Sequence, residues 1–398
     1  MNKAHKPDYI LFGVIVILCV LGILALASVS GSVSVKKFGT PYYYLSHQLI
    51  YGFLPGIVLF ILAFRFPLEK LKSWAHIFLL INLVLMVLVF LPPFGTSFGG
   101  ATRWLIIGPF SIQPSELLKF SFLLYLAAWL SKAEKTEIIS GIKRTWKSKG
   151  KFNLFKIAKE FFQQIFSIAG LREKLLPFLG IVGIVGLFLV IQPDISTLGI
   201  ISFTALAVYF AAGAPFSHIL ITSGLGMGIL SLLIKYEPYR FNRILVFLHP
   251  ETDPMGIGYQ MKQAIIAVGS GGLTGLGLGM SIQKTGFLPQ PMSDAIFAIF
   301  SEETGFVGAA VLILLFLVFF WQTLKVADNA PDKFLQLLAL GIGIWILIQA
   351  FMNIGANLRA LPLMGIPLPF MSYGGSAIIS ELAALGILLN ISKYIKNQ

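Results

Sequence analysis

Apolar stretches of bilayer-crossing length recur along this chain, and they constrain its fold more than any other feature. Ten are apparent, at roughly 9–30, 45–64, 75–92, 114–131, 175–191, 197–212, 219–235, 303–323, 334–352 and 371–391. A helix needs about 17–25 predominantly apolar residues to cross the hydrocarbon core. Within lipid, a helix is also one of the few structures that satisfies its own backbone polar groups. Composition agrees: 57% of the 398 residues are hydrophobic and 12% are charged, about half the roughly 25% charge of soluble domains. The expected fold is an all-α polytopic membrane protein, with ten transmembrane helices and residues 1–398 forming one integral membrane domain.

The net charge of +13 does not point to nucleic acid, because its distribution follows the membrane. With the N-terminus inside, twenty of the 30 Lys and Arg residues fall in cytoplasmic pieces, nine fall outside, and Lys119 lies within a span. The positive-inside rule therefore puts both termini in the cytoplasm. The first span follows only Lys3 and Lys6 and lacks a clear cleavage site, so it reads as a retained helix and not a signal peptide. The basic loop 132–174 is the longest cytoplasmic piece. Its alternating aromatic and basic positions from Phe152 to Phe166 suit either a helix on anionic lipid or a solvated linker.

Several chemistries are excluded or left without support. The single cysteine, Cys19, rules out a disulfide framework within the chain. Five scattered histidines show no zinc-binding spacing. No G-x-x-x-x-G-K-[ST] motif is present, so there is no P-loop. A divalent cation could assist the chemistry, but no carboxylate cluster demands one, and no cofactor is implied.

The long piece between spans seven and eight, residues 236–302, is expected outside the membrane and breaks the apolar pattern. Long unstructured loops are uncommon in compact domains and are usually functional. Arg240 and Arg243 stand three residues apart, on one helical face. Gly269 to Gly279 is glycine-rich without phosphate-cradle spacing, so close-packed backbone is the better reading. Asp294 precedes an apolar run, where Ser293 or Asp294 could cap the next helix; otherwise Asp294 is a candidate base. Glu302 lies eight residues further on, about 12 Å along a continuous helix at about 1.5 Å per residue. Paired carboxyls in inverting glycosidases sit roughly 6.5–9.5 Å apart, so Asp294 would act as a lone base.

Elsewhere, Gln113-Pro114 opens span four with Glu116 in the first turn, either a capping acid or a site acid. Lys119 lies one turn inside, where an ionisable group is a functional candidate by default; alternatively, it pairs with Glu116 and snorkels to the interface. Asp194 can cap span six. Pro362, Pro367 and Pro369 keep the loop 353–375 irregular, and Arg359 adds an external cation. Glu381 is expected to be protonated or paired in the middle of span ten.

These residues also carry a resemblance. Arg103-Trp104 with Gln113-Pro-Ser-Glu-Leu-Leu-Lys119, Gln192-Pro-Asp194 and Pro238-Tyr-Arg240 resemble the SEDS family of ten-helix cell-wall polymerases. So do Gly258-Tyr-Gln260, the GLGxSxQK run at 275–284, Asp294 with Glu302-Glu303, and Pro367-Leu-Pro-Phe-Met-Ser-Tyr-Gly-Gly375. The match covers nearly the whole chain. Gly258-Tyr-Gln260 and Ser281-Ile-Gln283-Lys284 look more like the division branch, FtsW, than like RodA.

The resemblance implies a peptidoglycan glycosyltransferase that polymerises lipid II at the outer face of the cytoplasmic membrane, and its FtsW-like motifs imply the division septum as the site. It implies Asp294 as the essential acid and Arg103 and Lys119 as functional cations. Glu116, Arg240, Arg243, Lys284 and Arg359 complete the expected substrate-binding set. Expected partners are a class B penicillin-binding protein transpeptidase and other divisome membrane proteins. The chain departs from the family pattern at Gln290 and Met292, where Glu and His are common, and at Ser196, where Gly is usual. A lipid II flippase, an elongation polymerase of the RodA kind and a division-ring scaffold are the competing expectations.

Overall fold

The computed structural model describes residues 5–91, 95–98, 101–108, 110–132 and 174–395. Apart from its ends, the expected basic loop 132–174 lies outside the described residues. The first helices are α1 (Tyr9–Phe38), α2 (Tyr43–Arg65), α3 (Leu68–Leu88), α4 (Pro114–Leu130), α5 (Leu176–Ile191), α6 (Ile195–Ala211) and α7 (Phe216–Tyr236). After α7 come α8 (Pro238–Leu248), α9 (Ile257–Ser270), α10 (Ile296–Asp328), α11 (Lys333–Asn357) and α12 (Gly375–Ser392). A helix thus stands at each of the ten expected positions. Seven are long and apolar enough to cross a membrane on those criteria, while α4, α5 and α6 are shorter.

Local sequence accounts for the ends. Asp8 opens α1 by accepting from the backbone N–H groups of Ile10 and Leu11, both at 2.9 Å. Gly39, left-handed at φ 72°, closes it. In α2, a π turn at Leu49–Phe53 runs directly into Pro55, whose missing N–H breaks the regular ladder. The N–H of His5 donates to Lys393 O at 2.7 Å, so both ends of the chain meet at one end of the bundle.

Spans α11 and α12 are the most buried, and α7 is the most exposed, among the seven longer helices. Small residues let α12 approach α2: a Cβ on Gly56 would lie 2.7 Å from Leu382 Cδ1, and one on Gly386 would lie 2.4 Å from Phe60 O. In lipid, where apolar burial gives helices little reason to associate, such close packing is the main source of cohesion.

Three features differ from the expected pattern of helices and loops. A three-stranded antiparallel sheet, β1 (Gly95–Phe98), β2 (Ala101–Ile107) and β3 (Phe110–Ile112), fills the connection before α4. Its register moves from Thr96↔Trp104 to Ser97↔Thr102, leaving Arg103 as the extra residue of a bulge. The long loop 236–302 is partly helical: α8 starts at Pro238, a residue suited to a first helical turn, and exposes Phe241, Ile244 and Leu248. Finally, α10 begins at Ile296, earlier than the expected 303, and is broken inside at Gly305 (φ 68°, ψ −168°).

That break is packed against the glycine-rich tract. The N–H groups of Phe306 and Val307 donate to Gly272 O and Leu273 O, and those of Leu276 and Gly277 donate to Glu302 O and Glu303 O. A Cβ on Gly275 would meet Glu303 O at 2.1 Å, and one on Gly305 would meet Gly275 N at 2.3 Å. Close-packed backbone is therefore what the glycines provide. Gly305→Ala combines a left-handed φ with this collision and should destabilise the fold by about 1–3 kcal/mol. Thermal unfolding of the purified protein in detergent should show a lowered midpoint.

Candidate active site

Asp294 lies in a turn just before α10. Gln290, at φ 51°, accepts at its carbonyl from the N–H groups of Ser293 (3.2 Å) and Ala295 (3.3 Å). Ala295 occupies the N-cap position, and no side chain caps the helix. The capping expectation for Ser293 and Asp294 is thus not met: the Gln290 turn runs through both residues and leaves Ala295 at the N-cap position.

The turn is held from two sides. Asn353 and Asn357, one turn apart at the end of α11, each donate through Nδ2 to Asp294 O, at 3.0 and 2.8 Å. The end of the proline-rich loop adds Ser372 Oγ donating to Ser293 O at 2.5 Å and Tyr373 N–H donating to Met292 O at 2.8 Å. The backbone is therefore fixed, and the residue as a whole is half-buried. Beside it, Asp294, Asn353, Leu363, Met364 and Gly365 help line a cavity of about 10 Å³, room for roughly one water. Gly365 is left-handed at φ 67°, and a Cβ there would lie 3.4 Å from Asp294 Oδ2.

Burial pushes the Asp294 carboxyl above the usual aspartate range, while the Ser293 hydroxyl and the Arg243 guanidinium pull it back. Arg243, on α8, also donates through Nη1 to Leu363 O at 3.1 Å, on the wall of the same cavity. Arg359 is exposed at φ 54° and reaches Phe247 O on α8 at 3.4 Å. Arg240 donates to Leu233 O at 3.0 Å, tying α8 back to α7.

The other expected site residues lie apart from Asp294. Arg103 donates through Nε to Gln192 O at 2.9 Å and through Nη2 to Pro193 O, bracing the α5–α6 turn. Within that turn, Asp194 caps α6 at Thr197 N–H (3.3 Å) and accepts from Ser115 Oγ (2.9 Å). Lys119 is 3% exposed, so it does not snorkel. Its Nζ lies 2.6 Å from Glu116 Oε2 and donates to Gln349 Oε1 at 2.8 Å. Glu381 completes this core network by accepting from Gln349 Nε2 at 3.3 Å and from Phe370 N–H at 3.0 Å. Lys284 is also buried, 2.6 Å from Glu303 Oε1.

The asparagine pair was missed in the sequence reading, although an N-x-x-x-N spacing beside an irregular loop is a usable signal. Among the described residues, no three His, Cys, Asp or Glu side chains group as a metal site.

Comparison with known proteins gives a consistent result. The family model for FtsW, RodA and SpoVE, described as a cell cycle protein, matches residues 9–397. The chain is 34% identical over 393 residues to the stage V sporulation protein E of Bacillus subtilis, covering 99% of both chains. It is 35% identical over 393 residues to a probable peptidoglycan glycosyltransferase FtsW of Nitrosococcus halophilus, covering 98% of this chain and 93% of the relative. Among solved structures, it resembles a chain from work on the structural coordination of polymerization and crosslinking by a peptidoglycan synthase complex. There the TM-score is 0.71, with 24% identity and 97% coverage of both chains. It also resembles the rod shape determining protein RodA of Thermus thermophilus, at TM-score 0.65, 23% identity and 98% coverage of both chains. At these identities, the structures speak to the fold alone.

Two outcomes follow from the geometry. Removing one partner of a buried ion pair costs about 3–5 kcal/mol, so Lys119→Met should sharply lower the thermal midpoint or the yield of folded protein. For Asp294 the sign is different. A carboxyl raised in the folded state stabilises the fold below its unfolded pKa, and this contribution is lost as pH rises through the folded value. Asp294→Asn should therefore be at least as stable as the parent, with an advantage that grows with pH in paired melting curves.

Proposed function

The chain belongs to the FtsW, RodA and SpoVE family of cell cycle proteins, and on that premise we propose that Asp294 is the general base of its reaction. The protein is a membrane-embedded peptidoglycan glycosyltransferase of cell division. Its proposed substrate is lipid II. The 4-hydroxyl oxygen of one sugar attacks the anomeric carbon of another glycan, forming the new C–O bond as the bond to pyrophosphate breaks, with inversion. Asp294 takes the hydroxyl proton, and the pyrophosphate leaves with the electron pair of the broken bond.

One observation carries this reading: Asp294 has no helix-capping task, yet its backbone is held by two asparagine amides. Its raised carboxyl pKa makes it a better base near neutral pH than an ordinary aspartate. Arg243, with Arg359 and Arg240 attached to the same helix, is the proposed source of charge for the leaving pyrophosphate. Arg103 is proposed to act through the α5–α6 turn, since Ser196 Oγ in α6 donates to Met364 O at the Asp294 cavity. Glu116 and Lys119 are proposed to hold the core.

The active face is proposed to be the outer one, with both termini in the cytoplasm; the charge distribution and the meeting of the two ends support this. A class B penicillin-binding protein is the proposed transpeptidase partner, at the septum and with other divisome proteins.

The test uses the full chain with its transpeptidase partner and fluorescent lipid II. Asp294→Asn should lower polymerisation by about 10²–10⁴-fold while the protein stays folded. In the parent, activity should fall as pH drops through the Asp294 pKa, with that limb above the ordinary aspartate value of about 3.9. Unchanged polymer from the folded Asn variant would remove Asp294 from the mechanism.

A further inference from the structure

We infer that Lys284 and Glu303 are positioning residues: their ion pair, clasped by α1, closes the neck of the loop that carries Asp294. This rests on the reading of Asp294 as the base. The two residues are 19 apart in sequence, and Lys284 Nζ lies 2.6 Å from Glu303 Oε1. Asp294 lies between them, near the middle of the loop.

The neck is tied more than once. Glu302, adjacent to Glu303, accepts from Ser281 Oγ and from the N–H groups of Ile282 (3.2 Å) and Gln283 (3.4 Å). Both neighbouring carboxylates at the start of α10 therefore hold the same short segment, Ser281 to Lys284. The segment continues inward through Leu288 N–H donating to Gln283 O at 3.0 Å, and Leu288 itself is buried. Two residues later comes the Gln290 turn.

Helix α1 supplies the third side. Ser28, Ser32 and Lys36 recur at four-residue spacing, which places them on one helical face. Ser28 Oγ lies 2.7 Å from both Glu303 carboxylate oxygens, and Lys284 Nζ donates to it at 3.0 Å. Ser32 Oγ donates to Lys284 O at 3.1 Å, and Lys36 Nζ donates to Thr285 O. The polar stripe on an otherwise lipid-suited helix is thus spent entirely on this neck.

A substrate ligand needs an accessible charged head, and Lys284 is 7% exposed with its ammonium already engaged. Its effect on the reaction must pass through the loop. Loosening the neck would let the Asp294 turn shift against the α11 asparagines, and a misplacement of about 1 Å can cost about 10²-fold in rate.

The experiment compares Lys284→Met, Ser28→Ala and the charge-reversed pair Lys284→Glu with Glu303→Lys, all in the full chain with its partner. Steady-state polymerisation of lipid II is measured alongside hydrogen exchange of the amides at 286–295. Lys284→Met should lower kcat by about 10²-fold, leave KM for lipid II nearly unchanged, and raise exchange at 286–295 but not at 375–392. Ser28→Ala should act in the same direction, more mildly and without loss of folded protein. The charge-reversed pair should recover much of kcat. If Lys284→Met does not fold, the Ser28 variant and the reversed pair carry the test. A raised KM with kcat retained would make Lys284 a substrate ligand and overturn the inference, as would unchanged kcat and exchange in folded variants. Exchange reports on the neck even if Asp294 proves not to be the base, so the two readings can fail separately.

Discussion

A carboxylate withdrawn from water has to be given partners, and where this chain spends its partners singles out one acid. Glu116 has Lys119, Glu303 has Lys284 and Ser28, and Glu381 has Gln349 and the Phe370 N–H. Glu302 receives Ser281 and two backbone amides, while Asp194 is occupied in capping α6. Each of these carboxylates is engaged by side chains or backbone N–H groups of the protein. Asp294 is arranged differently. Its carbonyl is anchored by two asparagine amides, and its carboxylate lies beside Ser293 and Arg243 in a half-buried residue at the wall of a small cavity.

The same economy shapes the irregular backbone around it. Non-helical chain at membrane depth persists where protein groups satisfy it or where it lines a cavity. The proline-rich stretch after α11 meets that condition with side chains from several elements. Gln349 donates to Pro367 O (3.1 Å), Asn353 to Ile366 O (2.7 Å), and Arg243 to Leu363 O. Because those donors sit on α8 and α11, the walls of the Asp294 cavity are set by the packed bundle and not by the loop alone. A site built this way can hold a reacting group still, which is the larger part of what catalysis by positioning requires.

Much of this was legible in the residues, for identifiable reasons. Span positions follow from apolar run length, which is a local property, and all ten expected positions hold helices. Asp294 stood out as an acid just ahead of an apolar run, and the pairing of Glu116 with Lys119 follows from i, i+3 spacing. What escaped depends on contacts between distant segments. Nothing in the local sequence shows that Lys284 meets Ser28 across 256 positions. Nor does it show that a bulge turns Arg103 toward the α5–α6 turn. The break at Gly305 is legible only once Gly275 is seen against it. The expected substrate-binding set therefore divides: Arg243 lies by the acid, Arg240 and Arg359 make contacts through α8, and Lys119, Glu116, Lys284 and Arg103 are engaged elsewhere in the fold.

The central claim concerns which carboxylate meets the acceptor sugar. It is tested most directly by a structure of the protein with the proposed transpeptidase partner, trapped with lipid II and an unreactive donor analogue. The account predicts an Asp294 carboxylate oxygen within about 2.6–3.2 Å of the attacking hydroxyl, with Arg243 toward the pyrophosphate. A hydroxyl bound instead to Glu302, Glu303 or Glu116, with Asp294 sealed away from the sugar, would contradict it.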